Sequence, residues 1–189
     1  NAMKEFEVLY SISHPCICKA IGINIQEEIE ITNNEGDQEE ITTIALFLEY
    51  LDYNLIDILN KNISNTSKVA IVIDICHAMN FLHKRGMIHR DLKIENIMLN
   101  SLFETKLVDF GLVKLTEAAI NDFSYVSDSL TKGVGTFAYM SPEMANEEKY
   151  NNKTDVYSFG VVLHFMFTGD LPKQSLKEKL NGKKVKMPS

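Results

Sequence analysis

Arginine is scarce in this 189-residue chain, which has only Arg85 and Arg90. A nucleic-acid surface is built from clustered Lys and Arg. With only two arginines and a formal net charge of −7, no nucleic-acid partner is expected. Cysteine is nearly as rare. Cys16, Cys18 and Cys76 cannot all pair, and the Cys16–Cys18 spacing is too short for an ordinary disulfide framework, which points to a reducing, cytoplasmic compartment. The Cys-x-Cys pair lacks the second Cys or His pair of a metal site, so it reads as buried thiols. No apolar run reaches the roughly 18 residues of a membrane span, and no secretory signal opens the chain. Internal repeats and low-complexity tracts are also absent.

What is present is an ordinary globular composition, 45% apolar, enough for one domain. The negative charge has a local source. Glu27, Glu28, Glu30, Glu35, Asp37, Glu39 and Glu40 follow one another with no base between them, and the remaining acids and bases balance. This run reads as the solvated tip of a hairpin around Asn33-Asn34-Glu35-Gly36-Asp37; the other reading is a docking surface for a basic partner. Residues 1–3, Asn-Ala-Met, read as a tag remnant.

Apolar spacing predicts a helix over residues 4–13 that breaks before His14-Pro15. Two β-branched segments, 17–31 and 41–51, are expected to form an antiparallel pair. A short helix over 54–62 follows, then a long one reaching about Lys84, with N-cap candidates at Ser64-Asn65-Thr66-Ser67 and closure at Gly86. The long helix is apolar on most faces and should be central. Short strands are expected at 97–99 and 106–108. Residues 155–167 read as a buried helix ending at Gly169, and a polar helix is expected over 174–180.

The chemistry is concentrated in Ile88-His89-Arg90-Asp91-Leu92-Lys93-Ile94-Glu95-Asn96-Ile97-Met98-Leu99. Asp91 can accept a hydroxyl proton, Lys93 can neutralise a migrating phosphoryl group, Asn96 can hold a divalent metal, and Arg90 is a fixed cation beside them. Asp109-Phe110-Gly111 supplies a second metal ligand after the strand-like Lys106-Leu107-Val108. The segment opened by Asp109 closes at Ser141-Pro142-Glu143, after Gly135-Thr136-Phe137-Ala138-Tyr139-Met140.

Together these stretches resemble the catalytic loop, metal-binding loop and activation segment of the eukaryotic protein kinases. Phe6 to Pro15 resembles the exit of the family's C-helix, Leu48-Glu49-Tyr50-Leu51 its hinge, and Asp155-Val156-Tyr157-Ser158-Phe159-Gly160 the start of its F-helix, in wording most like the tyrosine-kinase-like group. Lys93 and Thr136 follow the serine/threonine form.

The resemblance implies an α+β, two-lobe fold. Residues 4–51 would be a partial smaller lobe comprising the C-helix, fourth and fifth strands and hinge, and 52–189 a mostly helical larger lobe lacking its last helices. It implies an ATP-dependent serine/threonine kinase acting on protein substrates, with Mg²⁺ on Asn96 and Asp109. Asp91 would be the base, Lys93 would contact the γ-phosphate, and Thr136 would bond to one of them. The Glu49 carbonyl and Leu51 amide would meet adenine, with Leu48 as gatekeeper and Met98 and Val108 as floor.

His89 and Phe110 would stack with Leu9 above Asp155. Glu5 stands in the place of the C-helix glutamate without its usual lysine. Glu143 should be unpaired or wet, because no arginine follows Arg90. A phosphate on the activation segment, at Ser129 or Thr131 before Ser124, Tyr125 or Ser127, would pair with Arg90. The alternative to catalysis is a pseudokinase-like binding or scaffold module. Absence of the family's lysine-bearing strand would also expose the edge of the strand over 41–51, so self-association is expected.

Overall fold

The computed structural model describes residues 2–32, 38–115, 134–146 and 148–173. The predicted polar helix over 174–180 and the hairpin tip lie outside them.

Helix α1, Ala2–Ser11, begins and ends two residues earlier than its apolar spacing suggested. Its last turn is tied off by the Ser11 hydroxyl, which donates to the Val8 carbonyl at 2.7 Å. His14 then shapes the exit: its Nδ1 accepts the Cys16 amide at 3.1 Å while its ring packs on Phe81 at 4.8 Å.

Strands β1, Ala20–Thr32, and β2, Gln38–Leu48, form the expected antiparallel pair. Ile17 and Cys18, assigned to β1 by their apolarity, instead serve another sheet. Ile17 bridges Leu107 in parallel, and the Cys18 amide donates to the Leu107 carbonyl at 2.9 Å. Cys16 and Cys18 are buried there, whereas Cys76 is exposed.

A three-stranded sheet of order β3-β5-β6 joins β3, Tyr53–Asn54, to β5, Ile97–Leu99, and β6, Thr105–Leu107. Strand β6 starts one residue earlier than predicted, because Thr105 closes the ladder on Leu99, and the Val108 amide turns to the Asn96 carbonyl at 3.0 Å. Strand β4, Met87–Ile88, pairs with β7, Lys114–Leu115.

Asn54 caps α2, Leu55–Leu59, through its side-chain oxygen and the Asp57 amide at 2.8 Å. That helix is shorter than expected because the chain reverses through Asn62, whose φ of 51° lies in the left-handed region. Helix α3, Asn65–Lys84, has Ser64 as N-cap, as predicted, and Gly86 with φ 69° beyond its end.

Ile71, Ile75, Ala78, Met79 and Leu82 bury one face of α3, but Val69 and Ile73 remain 48% exposed, so it is central on one side only. No described residue covers the other side. Helices α4, Val134–Tyr139, and α5, Pro142–Ala145, precede α6, Lys153–Thr168, which stops at left-handed Gly169. Helix α6 buries Val161, Val162 and Met166 yet leaves Val156 and Phe167 about half exposed, so it too is one-sided.

One apolar cluster runs from Leu9 through Ile75, Leu82, Leu92, Ile97 and Phe110 to Val162. Burial of side chains of this size supplies roughly 1.5–3 kcal/mol each before entropy is counted. It forms the floor on which the polar loop between β4 and β5 rests. The architecture is α+β, with few strands on the α1 side.

Candidate active site

Asp155 anchors the loop from below. It is fully buried in the first turn of α6, and its Oδ2 accepts the His89 amide at 2.9 Å and His83 Nε2 at 2.8 Å. Its Oδ1 accepts the Arg90 amide, also at 2.9 Å. A carboxylate with three donors aimed at it is solvated by the protein itself. The buried His89 ring meets Phe110 edge-on at 5.1 Å, and its Nδ1 receives the Asp91 amide at 3.3 Å. Burial pushes the His89 imidazole below its ordinary value; the nearby carboxylates of Asp155, Asp91 and Asp109 pull the other way.

Above this base the predicted residues converge. Lys93 Nζ donates to Asp91 Oδ2 at 2.6 Å. Asn96 Nδ2 donates to the Asp91 carbonyl at 2.9 Å and to its Oδ2 at 3.1 Å, and lies 3.5 Å from Asp109 Oδ2. Asp91 is only 8% exposed, and among the described residues its Oδ1 has no hydrogen-bond donor. That oxygen is the one left for an incoming hydroxyl.

No group of three or more His, Cys, Asp and Glu side chains converges among the described residues. Asn96 and Asp109 instead place an amide and a carboxylate side by side. This hard-oxygen pair suits Mg²⁺, which keeps several waters and takes further ligands from phosphate.

Glu5 and the hinge lie on the α1 side. The Glu5 carboxylate accepts the Phe110 amide at 3.2 Å, tying α1 to the residue after Asp109. Burial raises the Glu5 carboxyl above its usual range, the Phe110 amide lowers it, and Asp109 raises it again. Glu49 is held by its side chain and its amide: Oε1 accepts the Lys19 amide at 2.7 Å, and the Glu49 amide donates to the Lys19 carbonyl at 2.9 Å. Neither the Glu49 carbonyl nor the Leu51 amide is used by another described residue. Leu48, Met98 and Val108 are half-buried. Burial, reinforced by Glu49, pushes the Cys18 thiol up to about 12, so it is inert packing.

Arg90 is engaged rather than free: its Nε donates to the Leu112 carbonyl and its Nη1 to the Tyr150 hydroxyl at 3.0 Å. Glu143 is half-buried and makes no ion pair with a described residue. The Thr136 side chain and the loop hydroxyls of Ser124, Tyr125, Ser127, Ser129 and Thr131 lie outside the described residues.

Three participants escaped the sequence reading. His83 occupies the last turn of α3, and only its place just before the Gly86 turn marks it. Tyr150 carried no signal. Lys106 did carry one: it is a charged residue beside the apolar Leu107-Val108.

The family model for the protein kinase domain matches residues 1–188. A probable serine/threonine-protein kinase of Dictyostelium discoideum is 34% identical over 89% of this chain and 26% of its own length. Human receptor-interacting serine/threonine-protein kinase 1 is 32% identical over 90% of the chain and 25% of its own length. Serine/threonine-protein kinase PknB of Mycobacterium tuberculosis is 38% identical over 67% of the chain and 20% of its own length. The chain thus spans about a quarter or less of these relatives. A match over nearly every residue, on top of the clustered loop geometry, places this chain in the protein kinase domain family.

Proposed function

We propose that the chain carries the site of an ATP-dependent serine/threonine protein kinase. One observation carries this reading: Asp91, Lys93, Asn96 and Asp109 meet through hydrogen-bond contacts on a buried base. Asp91 Oδ1 takes the proton of a substrate serine or threonine as that oxygen attacks the γ-phosphorus of ATP. The new O–P bond forms while the bond to the β–γ bridging oxygen breaks, leaving ADP. A positioned base of this kind contributes about 10²–10⁴ in rate. Lys93, already beside Asp91, places an ammonium where phosphoryl charge moves. Asn96 and Asp109 would hold Mg²⁺, which supplies positive charge against the β- and γ-phosphate oxygens.

The Glu49 carbonyl and Leu51 amide would receive adenine, with Met98 and Val108 beneath it. Thr136 would steady Asp91 or Lys93, and Glu5 would hold the loop that bears Asp109. Residues 4–51 and 52–189 would act as the two sides of the nucleotide cleft. Arg90 would sense phosphate on Ser129 or Thr131, in competition with its present contact to Tyr150. Glu143 would be the activation-segment glutamate. The partners would be protein substrates in the cytoplasm and a second copy of the chain. No helix among the described residues is long and apolar enough to cross a membrane.

Peptide arrays offering serine, threonine and tyrosine with γ-labelled ATP test the reading. Label on serine and threonine, lost in Asp91→Asn, is expected. Predominant tyrosine labelling overturns the specificity, and nucleotide binding without any transfer points to a binding module.

A further inference from the structure

Behind the hinge lies a polar knot that the phosphoryl-transfer chemistry does not use. Lys106, only 9% exposed, sends its Nζ to the Pro15 carbonyl at 2.6 Å and lies 3.8 Å from Glu49 Oε2. The other oxygen of Glu49 is the one that accepts the Lys19 amide. Lys106 also pairs with Met98 across the β5–β6 ladder, so the two side chains are neighbours on one face. One ammonium therefore links the exit of α1 to the hinge, from a strand position paired with Met98. The flanking backbone is fixed as well, with the Leu107 amide on the Cys16 carbonyl at 2.9 Å.

Glu49 is 26% exposed, and an ion pair so partly solvated and 3.8 Å apart adds little to stability, so this lysine is poorly explained by stability alone. Its placement is better explained by geometry. A hinge acceptor must be held still to within a fraction of an ångström, and Glu49 is held at its amide, at Oε1 and, through Lys106, at Oε2.

Building on the kinase reading above, we propose that Lys106 is a positioning residue for the nucleotide base: it fixes Glu49, and with it the Glu49 carbonyl and Leu51 amide, without touching the nucleotide. The inference separates base recognition from the catalytic loop, because no contact of Lys106 reaches Asp91, Lys93 or Asn96 among the described residues.

The test uses adenosine, which has the base but no phosphates, titrated into the full chain and followed by the amide resonances of Glu49 and Leu51. Lys106→Met is expected to lower the melting temperature by only a few degrees, for the lost bond to the Pro15 carbonyl, while its adenosine Kd rises about tenfold, the cost of one misaligned hydrogen bond. Lys106→Arg, which keeps the charge and donors, should recover most of the affinity.

Glu49→Gln leaves an acceptor for the Lys19 amide but removes the charge facing Lys106. It should weaken adenosine to a similar extent, and the Lys106→Met/Glu49→Gln double variant should be no weaker than either alone. This arm decides the matter if Lys106→Met does not fold. Unchanged adenosine affinity in Lys106→Met or Glu49→Gln, additive losses, or an arginine variant as weak as the methionine one would overturn the positioning role alone. A parent chain that binds no adenosine at millimolar concentration would overturn the kinase reading and this inference with it.

Discussion

Asp155→Asn is nearly isosteric, yet it removes one of the two acceptor oxygens at the base of the catalytic loop. The carboxylate receives three donors: His83 Nε2 and the His89 amide on Oδ2, and the Arg90 amide on Oδ1. An asparagine that keeps its oxygen at the Oδ2 position presents an NH₂ to the Arg90 amide, donor against donor at the 2.9 Å of the present bond. The opposite orientation sacrifices two bonds instead of one, so the first is preferred.

Leaving the Arg90 amide unpaired costs about 1–3 kcal/mol, and turning two charge-assisted bonds into neutral ones costs about 1 kcal/mol each. Relief of the buried charge's desolvation works the other way. That relief is small here, because three donors already replace water around the carboxylate. A net loss of roughly 3–5 kcal/mol follows, a large share of the roughly 5–15 kcal/mol that holds a domain together.

For a chain of this length the melting temperature should fall by roughly 6–20 °C. Scanning calorimetry at pH 7.5 measures it, and phosphoryl transfer should fall in parallel as His89 and Arg90 lose their register. A fall of less than about 3 °C with transfer intact would refute the claim that Asp155 organises the loop.

Asp91→Asn should lower kcat by about 10²–10⁴ while leaving nucleotide affinity close to that of the parent, read from initial rates and calorimetry; loss of affinity alone would contradict a base role. Acid should destabilise the fold through two histidines. His14 is held below the ordinary 6.5 by burial and then by His77, Arg85 and Lys106, and His89 by burial. The unfolded chain takes up these protons as pH falls through 6.5 and the folded one does not, so this stability is complete above 6.5 and is lost toward the lower folded values. His14→Asn, which can still accept the Cys16 amide, should lose less melting temperature between pH 7.5 and 5.5 than the parent; an equal loss would show that His14 does not contribute. The β1–β2 sheet leaves Ile21 65% and Phe47 54% exposed, and neither strand pairs with a further described strand. Light scattering over a dilution series should show concentration-dependent association, reduced in Phe47→Lys; a concentration-independent monomer with a cooperative melt would count against it.

Local signals in the sequence carried a good deal of this. Ser64 before a long apolar run, Gly86 after it, and Gly169 closing α6 are cap chemistry, and each cap stands where it was expected. The order Asp91, Lys93, Asn96, Asp109 foretold a cluster because residue type and spacing alone suggest the chemistry. Illegible from composition was which face of a helix finds a neighbour: Val69, Ile73 and Phe167 are as apolar as the core yet lie half exposed. Ile17 and Cys18 were misassigned for a similar reason, since apolarity does not say which strand a segment will meet. His83 and Lys106 were missed because their partners lie 72 and 91 residues away.

Arg90 and Asp109 make the strongest case for long-range control of this site. Both have left-handed backbone, with φ of 68° and 62°, at positions where no glycine announces it. Such a conformation costs about 1–3 kcal/mol per residue and persists only where the surroundings enforce it. In each case a distant carboxylate takes hold of the amide at that point of the chain. Asp155, 65 residues on, receives the amide of Arg90 itself, and Glu5, 105 residues back, receives the amide of Phe110, directly after Asp109. The proposed base Asp91 directly follows the first strained residue, and the proposed metal ligand is the second. The two aspartates therefore owe their placement to carboxylates on two different helices, α6 and α1. A shift of either helix would relax one strained residue and move one aspartate.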